Sequence, residues 1–204
     1  MPRVAYSDED RERIREALIS TGLTLMAKQG IQHTTVEQIY STVGISRTFF
    51  YSFFPAKEDL IVEALYLQQP KILAYAQKLM DDPGLSWREA VSRFLYSCCY
   101  GEQNNIAVLT IEEQQQIFKR LSADNYRVFR EKQVRLFGKL LECFGIRPDI
   151  KKINLFTNLS LTVMVIRRGI PKTLPLFAPE AANDTIDVQI KAIVDCLEQM
   201  REQF

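Results

Sequence analysis

The sequence predicts an all-α fold, and three observations carry that prediction. Along most of the chain, apolar residues recur at steps of three and four, the spacing that gathers them on one side of a helix. Glycine and proline number eight each in 204 residues, so few positions break a helix. Between residues 34 and 60, cap and stop signals bracket two short periodic runs, and no stretch argues for a strand. A chain of this length has room for a real core, as one large domain or two small ones.

Taken in order, residues 2–7 read as a short disordered arm, and the acidic run Ser7-Asp8-Glu9-Asp10 places negative charge at the start of a first helix. Ile14, Leu18, Leu25 and Met26 give that helix an apolar face, and Gly30 ends it. Thr34 with Glu37 reads as a capping box opening a second helix near Val36. Val36, Ile39 and Val43 form its inner face, and Gly44 supplies the left-handed residue that stops it. Ile45 then plugs the turn and Ser46 caps a third helix, on which Phe50 and Phe54 stand one turn apart before Pro55. Helix, tight turn and short helix in that order predict a DNA-reading helix-turn-helix.

After Pro55, Glu58 and Asp59 favour the first turn of a fourth helix. Pro70 interrupts it, either as a plain boundary between two helices or as a functional hinge. Further helices are expected near residues 86–100, 105–120, 122–144, 151–168 and 183–203. The last has the clearest pattern: Ile186, Ile190, Ile193, Leu197, Met200 and Phe204 alternate steps of four and three in a narrow seam that calls for a partner helix. The helix before it is apolar on nearly every side from Leu159 to Ile166, through Val163. Two helices that over-supply apolar surface predict a homodimer built on Leu159, Val163, Ile166, Ile186, Ile190, Ile193, Leu197 and Met200.

Composition narrows the chemistry. Cys98, Cys99, Cys143 and Cys196 lack metal-ligand spacing and read as buried reduced thiols. His33 is the sole histidine, which leaves no second imidazole for a metal site or proton relay. With no nucleophile–base constellation and no phosphate-binding glycine loop, the reading is a non-enzyme without metal or cofactor. The most apolar run is too short to span a bilayer and the N-terminus lacks a signal-like segment, so a cytoplasmic protein is expected. A net charge of +1, with acidic residues slightly outnumbering basic ones in residues 1–60, argues against strong non-specific binding to nucleic acid. A few placed contacts, doubled in a dimer, supply affinity instead.

The positions Ile14, Ala17, Leu18, Gly30, Thr34, Thr35, Val36, Ile39, Gly44, Ile45, Ser46, Tyr51, Phe54, Lys57 and Leu60 align without gaps to one pattern. In it the chain resembles the TetR family (TetR/AcrR-like) of bacterial transcriptional regulators, over roughly its first third. The resemblance implies a helix-turn-helix DNA-binding domain at residues 1–60 and a helical ligand-binding and dimerisation domain at 61–204. It also implies a duplex DNA partner, a homodimer joined through its last two long helices, and a small-molecule effector.

By helical geometry, with Phe50 inward, Phe54 lies about 40° away, and Phe49 about 100° towards one flank. The resemblance puts the start of this helix in the major groove, which makes Ser46, Arg47, Thr48 and Phe49 the DNA-facing set and gives Thr35, Tyr51 and Lys57 to phosphate. Arg47 addresses guanine or only phosphate, and Phe49 meets a thymine methyl or packs under the first helix; both pairs of readings stand. Tyr40 and Thr48-Phe49 depart from the family pattern. Tyr40 either turns outward or spreads the two helices.

In residues 61–204, Trp87, Phe94, Cys98, Phe118, Tyr126, Phe129 and Phe137 supply faces for a core or a cavity. Phe94, Cys98, Phe118, Tyr126 and Phe129 are the effector candidates, with Arg167 or Arg168 as a cation for an anionic ligand. The expected function is a ligand-responsive regulator, most simply a repressor released from a palindromic operator by its effector. The alternative is a helical ligand-binding or scaffold protein of the same fold with weak DNA affinity.

Overall fold

The computed structural model describes residues 6–100, 107, 111–170 and 178–202, with only the backbone of 111–114 and 168. Residues 2–5 of the expected arm at 2–7 and the seam's Phe204 lie outside the described residues, whereas Tyr6 and Ser7 are ordered by a ring stack on Phe49 and by the cap of the first helix. The fold is all-α, with no strand among the described residues.

The first helix, α1 (Asp8–Gln29), opens on Ser7, whose hydroxyl accepts from the Asp10 amide while the Asp10 carboxylate returns the bond. The Ser7 bonds hold the Asp10 carboxyl below its ordinary pKa. The second helix, α2 (Val36–Val43), begins where expected, but its cap is Thr35 with Gln38, not Thr34 with Glu37. Thr34 is buried instead, and its hydroxyl donates to the Gly30 carbonyl at 2.9 Å. At the far end Gly44 sits at φ 79°, ψ 30°, and the amides of Gly44 and Ile45 donate back to the carbonyls of Ser41 and Tyr40. This tight stop turns the chain into α3 (Arg47–Tyr51), which Ser46 caps through the Phe49 amide.

Helix α4 (Lys57–Met80) passes through Pro70 without a break. This removes the plain-boundary reading of that proline. Leu60, Ile61, Ala64 and Leu65 on one side of it pack with α1–α3, whereas Ala76 and Leu79 on the other belong to a second core. Packing at both ends holds the helix through an exposed proline that cannot donate to the carbonyl four residues back.

The rest is α5 (Trp87–Cys99), α6 (Ile111–Arg120), α7 (Ala123–Cys143), α8 (Ile150–Gly169) and α9 (Ala182–Glu202), the last preceded by a 3-10 turn at Pro179–Ala181. Residues 105, 106 and 108–110, where the sequence predicts the start of the sixth helix, lie outside the described residues. The Trp87 indole donates to the Phe144 carbonyl, and Arg88 pairs with both Asp195 and Glu198, tying α5 to the end of α7 and to α9.

The seam on α9 corrects the sequence reading. Ile186, Ile190, Ile193, Leu197 and Met200 are all buried in the chain's own second core, against α5 and α8. Val163 is buried there as well, and Leu159 and Ile166 pack half-buried on its edge. The seam finds its partner helices inside the same chain, because an apolar stripe specifies burial and not which surface provides it.

Candidate functional site

The outer face of α3 is built by what lies beneath it. Phe50 and Phe54 are buried with ring centroids 5.8 Å apart, and with Ile39 and Leu60 they fix the helix on the core of α1, α2 and α4. Arg47, Thr48, Tyr51 and Ser52 are thereby left on the exposed side, with the Arg47 guanidinium 5.8 Å above the Tyr51 ring. Thr35 and Ser46 are exposed too, each occupied in capping a helix. Cap hydroxyls and the amides around them suit phosphate oxygens, and an exposed Arg–Thr pair at a helix start suits base edges.

Two of the DNA-facing candidates have a second occupation. The ring of Phe49 stacks on Tyr6 at 4.7 Å and meets Phe53 edge-on at 5.0 Å, with the Arg11 guanidinium over both rings. Phe49 is half-buried under the start of α1. The Lys57 ammonium donates to the Ile31 carbonyl at 2.7 Å, so it pins the start of α4 to the turn between α1 and α2. Tyr40 is half-buried and packs against the core of the N-terminal head, the unit of α1–α3 and the start of α4.

A second site lies between α4, α5, α7 and α8, a cavity of about 140 Å³ walled by residues such as Leu65, Ile72, Leu136, Phe137, Leu161 and Met164. Phe94, Cys98, Phe118 and Phe129 line it, as the sequence proposes. Tyr126 and Arg167 do not. Tyr126 is exposed and edge-on to Phe118 at 5.5 Å, behind the wall. The Arg167 guanidinium lies 4.4 Å over the Tyr100 ring, and the Arg168 side chain lies outside the described residues. Burial pushes the Cys98 thiol up to about 12, so that wall stays neutral at physiological pH.

Sequence reasoning missed the polar members of this cavity. Gln68, Gln69, Gln133 and Ser160 line it, all on helix positions that carry no motif. Gln68 is buried and bonds both ways to the backbone of Ala107, accepting from its amide at 3.0 Å and donating to its carbonyl at 2.9 Å. The signal available was the pair of glutamines at 68–69 within an apolar helical stretch. On α6, Phe118 faces the cavity while Arg120 reaches Glu58 in the first turn of α4 at 3.3 Å.

Residues 18–64 match the family model described as bacterial regulatory proteins, tetR family. Over 50 residues the chain is 42% identical to an HTH-type transcriptional regulator of Bacillus subtilis, YerO, a stretch that is 24% of this chain and 17% of that one. It is 26% identical over 102 residues to the HTH-type transcriptional regulator AcrR of Shigella flexneri, 48% of this chain and 47% of that one. These matches span less than half the length of the curated relatives. A solved TetR-family regulator from Pectobacterium atrosepticum shares the fold with a TM-score of 0.60 at 15% identity, over 96% of this chain and 97% of that one.

Proposed function

For a chain that belongs to the TetR family of transcriptional regulators, we propose the following action: a homodimer represses from a palindromic operator and leaves it when a small effector fills the helical cavity. The observation that carries the DNA part is the face of α3, where Arg47, Thr48 and Tyr51 stand exposed above buried Phe50 and Phe54. The protein works by binding and not by catalysis, in the cytoplasm, where duplex DNA is accessible.

A ligand moves the reading heads only if it favours one arrangement of them over another. Two routes from cavity to head support this coupling. The first is α4 itself, whose Leu65 and Gln68 line the cavity while Leu60 lies in the head's core. The second runs from Phe118 on the cavity wall through Arg120 to Glu58, beside the Lys57 that holds the Ile31 carbonyl. A ligand that displaces Phe118 therefore pulls on the start of α4, next to the turn that sets α2 and α3.

Selection of bound fragments from random duplex DNA tests the reading. Enrichment of an inverted repeat with half-sites about one helical turn apart is the expected outcome. Failure to enrich any sequence leaves the alternative of a ligand-binding or scaffold protein.

A further inference from the structure

Resting on the cavity as the effector site, we propose that its ligand is a neutral, mostly apolar molecule bearing a carbonyl-type hydrogen-bond acceptor, of the class of medium-chain ketones and esters. Among the described residues the lining contains no charged side chain. An ionised ligand would lose its hydration there without gaining a counter-charge. Arg167, the cation that the sequence offers to an anion, is not among the lining residues and sets its guanidinium over the Tyr100 ring.

The polar groups of the lining specify the rest. Gln69 Nε2 and Ser160 Oγ are buried and have no hydrogen-bond partner among the described residues. Ser160 is only 4% exposed. Four hydroxyls on other helices satisfy themselves, since Thr24, Thr42 and Thr185 donate to the carbonyl four residues back and Ser20 to the one three back, whereas Thr157 on α8 is unmet as Ser160 is, but does not line the cavity. The Ser160 hydroxyl makes no such bond. The neighbouring glutamines differ, since Gln68 bonds Ala107 through both its amide oxygen and its amide nitrogen while the Gln69 amide donor is left open. Buried donors without acceptors are costly, and two on the wall of one cavity point to a guest that brings the acceptor. A carbonyl or ester oxygen does so without charge. The volume of about 140 Å³ is roughly ten times what a single water requires, which suits a guest on the order of ten non-hydrogen atoms.

The test uses the purified full chain at pH 7 with four probes of nearly equal length: 2-octanone, n-nonane, octanoate and octylammonium. Binding is followed by calorimetry and by the shift in melting temperature. We expect 2-octanone to bind saturably, and octanoate and octylammonium to bind at least about tenfold more weakly. Gln69→Leu and Ser160→Ala should each weaken 2-octanone about tenfold, as for one lost hydrogen bond. Both should leave nonane binding unchanged or tighter. Without ligand both variants should melt at or above the parent temperature, because an unmet buried polar group is replaced by an apolar one. A purely structural role would lower the melting temperature and weaken every probe alike. Gln69→Glu, nearly the same shape, should turn the preference towards octylammonium.

Tighter binding of octanoate or octylammonium by the parent would overturn the proposal, as would nonane binding as tightly as 2-octanone, no binding by any probe, or variants indistinguishable from the parent. Binding of 2-octanone with the expected variant pattern but no release of DNA upholds the ligand class and defeats only the effector-released repressor.

Discussion

Phe49 stands one position before the buried Phe50, and its ring is held between Tyr6, Phe53 and the Arg11 guanidinium. Such a side chain orients α3 more readily than it reads a base. Phe49→Ala and Tyr6→Ala should therefore act alike, weakening every duplex by about 1 kcal/mol for the lost aromatic pair and leaving base preference unaltered. Thr48→Ala, on the exposed face, should relax preference at one base pair. Fragment selection repeated on the three variants checks this, and a base-specific change in Phe49→Ala without one in Tyr6→Ala would return the ring to the groove. The sequence showed that Phe49 leaves the core side of α3 but not what meets it, since Tyr6 lies 43 residues away in the chain. The α2 cap was ambiguous for a local reason. Adjacent threonines are each followed three residues on by a side chain able to complete the box, Glu37 or Gln38. Only the fold decides, by turning Thr34 inward onto the Gly30 carbonyl.

At the scale of the helix, Gly22 sets how closely α1 and α4 approach. A Cβ there would lie 2.6 Å from Leu60 Cδ2, and Leu60 is fully buried. Gly22→Val should destabilise the head by about 1–3 kcal/mol through overpacking, despite the better helix propensity of valine, and urea unfolding measures it. Nothing local in the sequence marks that glycine, because the crowding comes from another helix. Pro70 is the opposite case: legible as a disruption, yet bridged by packing on both sides. Pro70→Ala restores a backbone donor to the middle of α4 and should stabilise the chain by on the order of 1–2 kcal/mol. If the proline softens the joint between the two cores, the variant should also need more effector to release DNA. An unchanged release curve would make Pro70 a tolerated irregularity. Periodicity located α5, α7, α8 and α9 closely, but it could not tell a core seam from an interface seam on α9.

For the whole molecule, burial of the α9 seam moves the proposed dimer contact to the outward sides of α8 and α9, where Leu155, Thr162, Val188 and Ala192 are exposed. Leu155→Glu should then yield a folded monomer with weakened DNA binding, whereas Ile193→Asp should unfold the second core, because its carboxylate has no partner there. Sedimentation and circular dichroism on the two variants separate these outcomes; a dimeric Leu155→Glu would remove this face from the interface. The communication proposed between cavity and reading head would belong to no single helix. The Arg120–Glu58 pair joins α6, whose Phe118 lines the cavity, to the first turn of α4. Arg120 is 62% exposed along its side chain, so the pair should add only about 0–1 kcal/mol to stability. Its place in the coupling is a separate matter. Arg120→Ala should melt within a few degrees of the parent and bind both operator and effector with near-parental affinity when each is measured alone. Effector-driven release of DNA, followed by fluorescence anisotropy, should nevertheless require several-fold more ligand, because a ligand that shifts Phe118 no longer pulls on α4. Superimposable release curves for parent and variant would confine the coupling to α4.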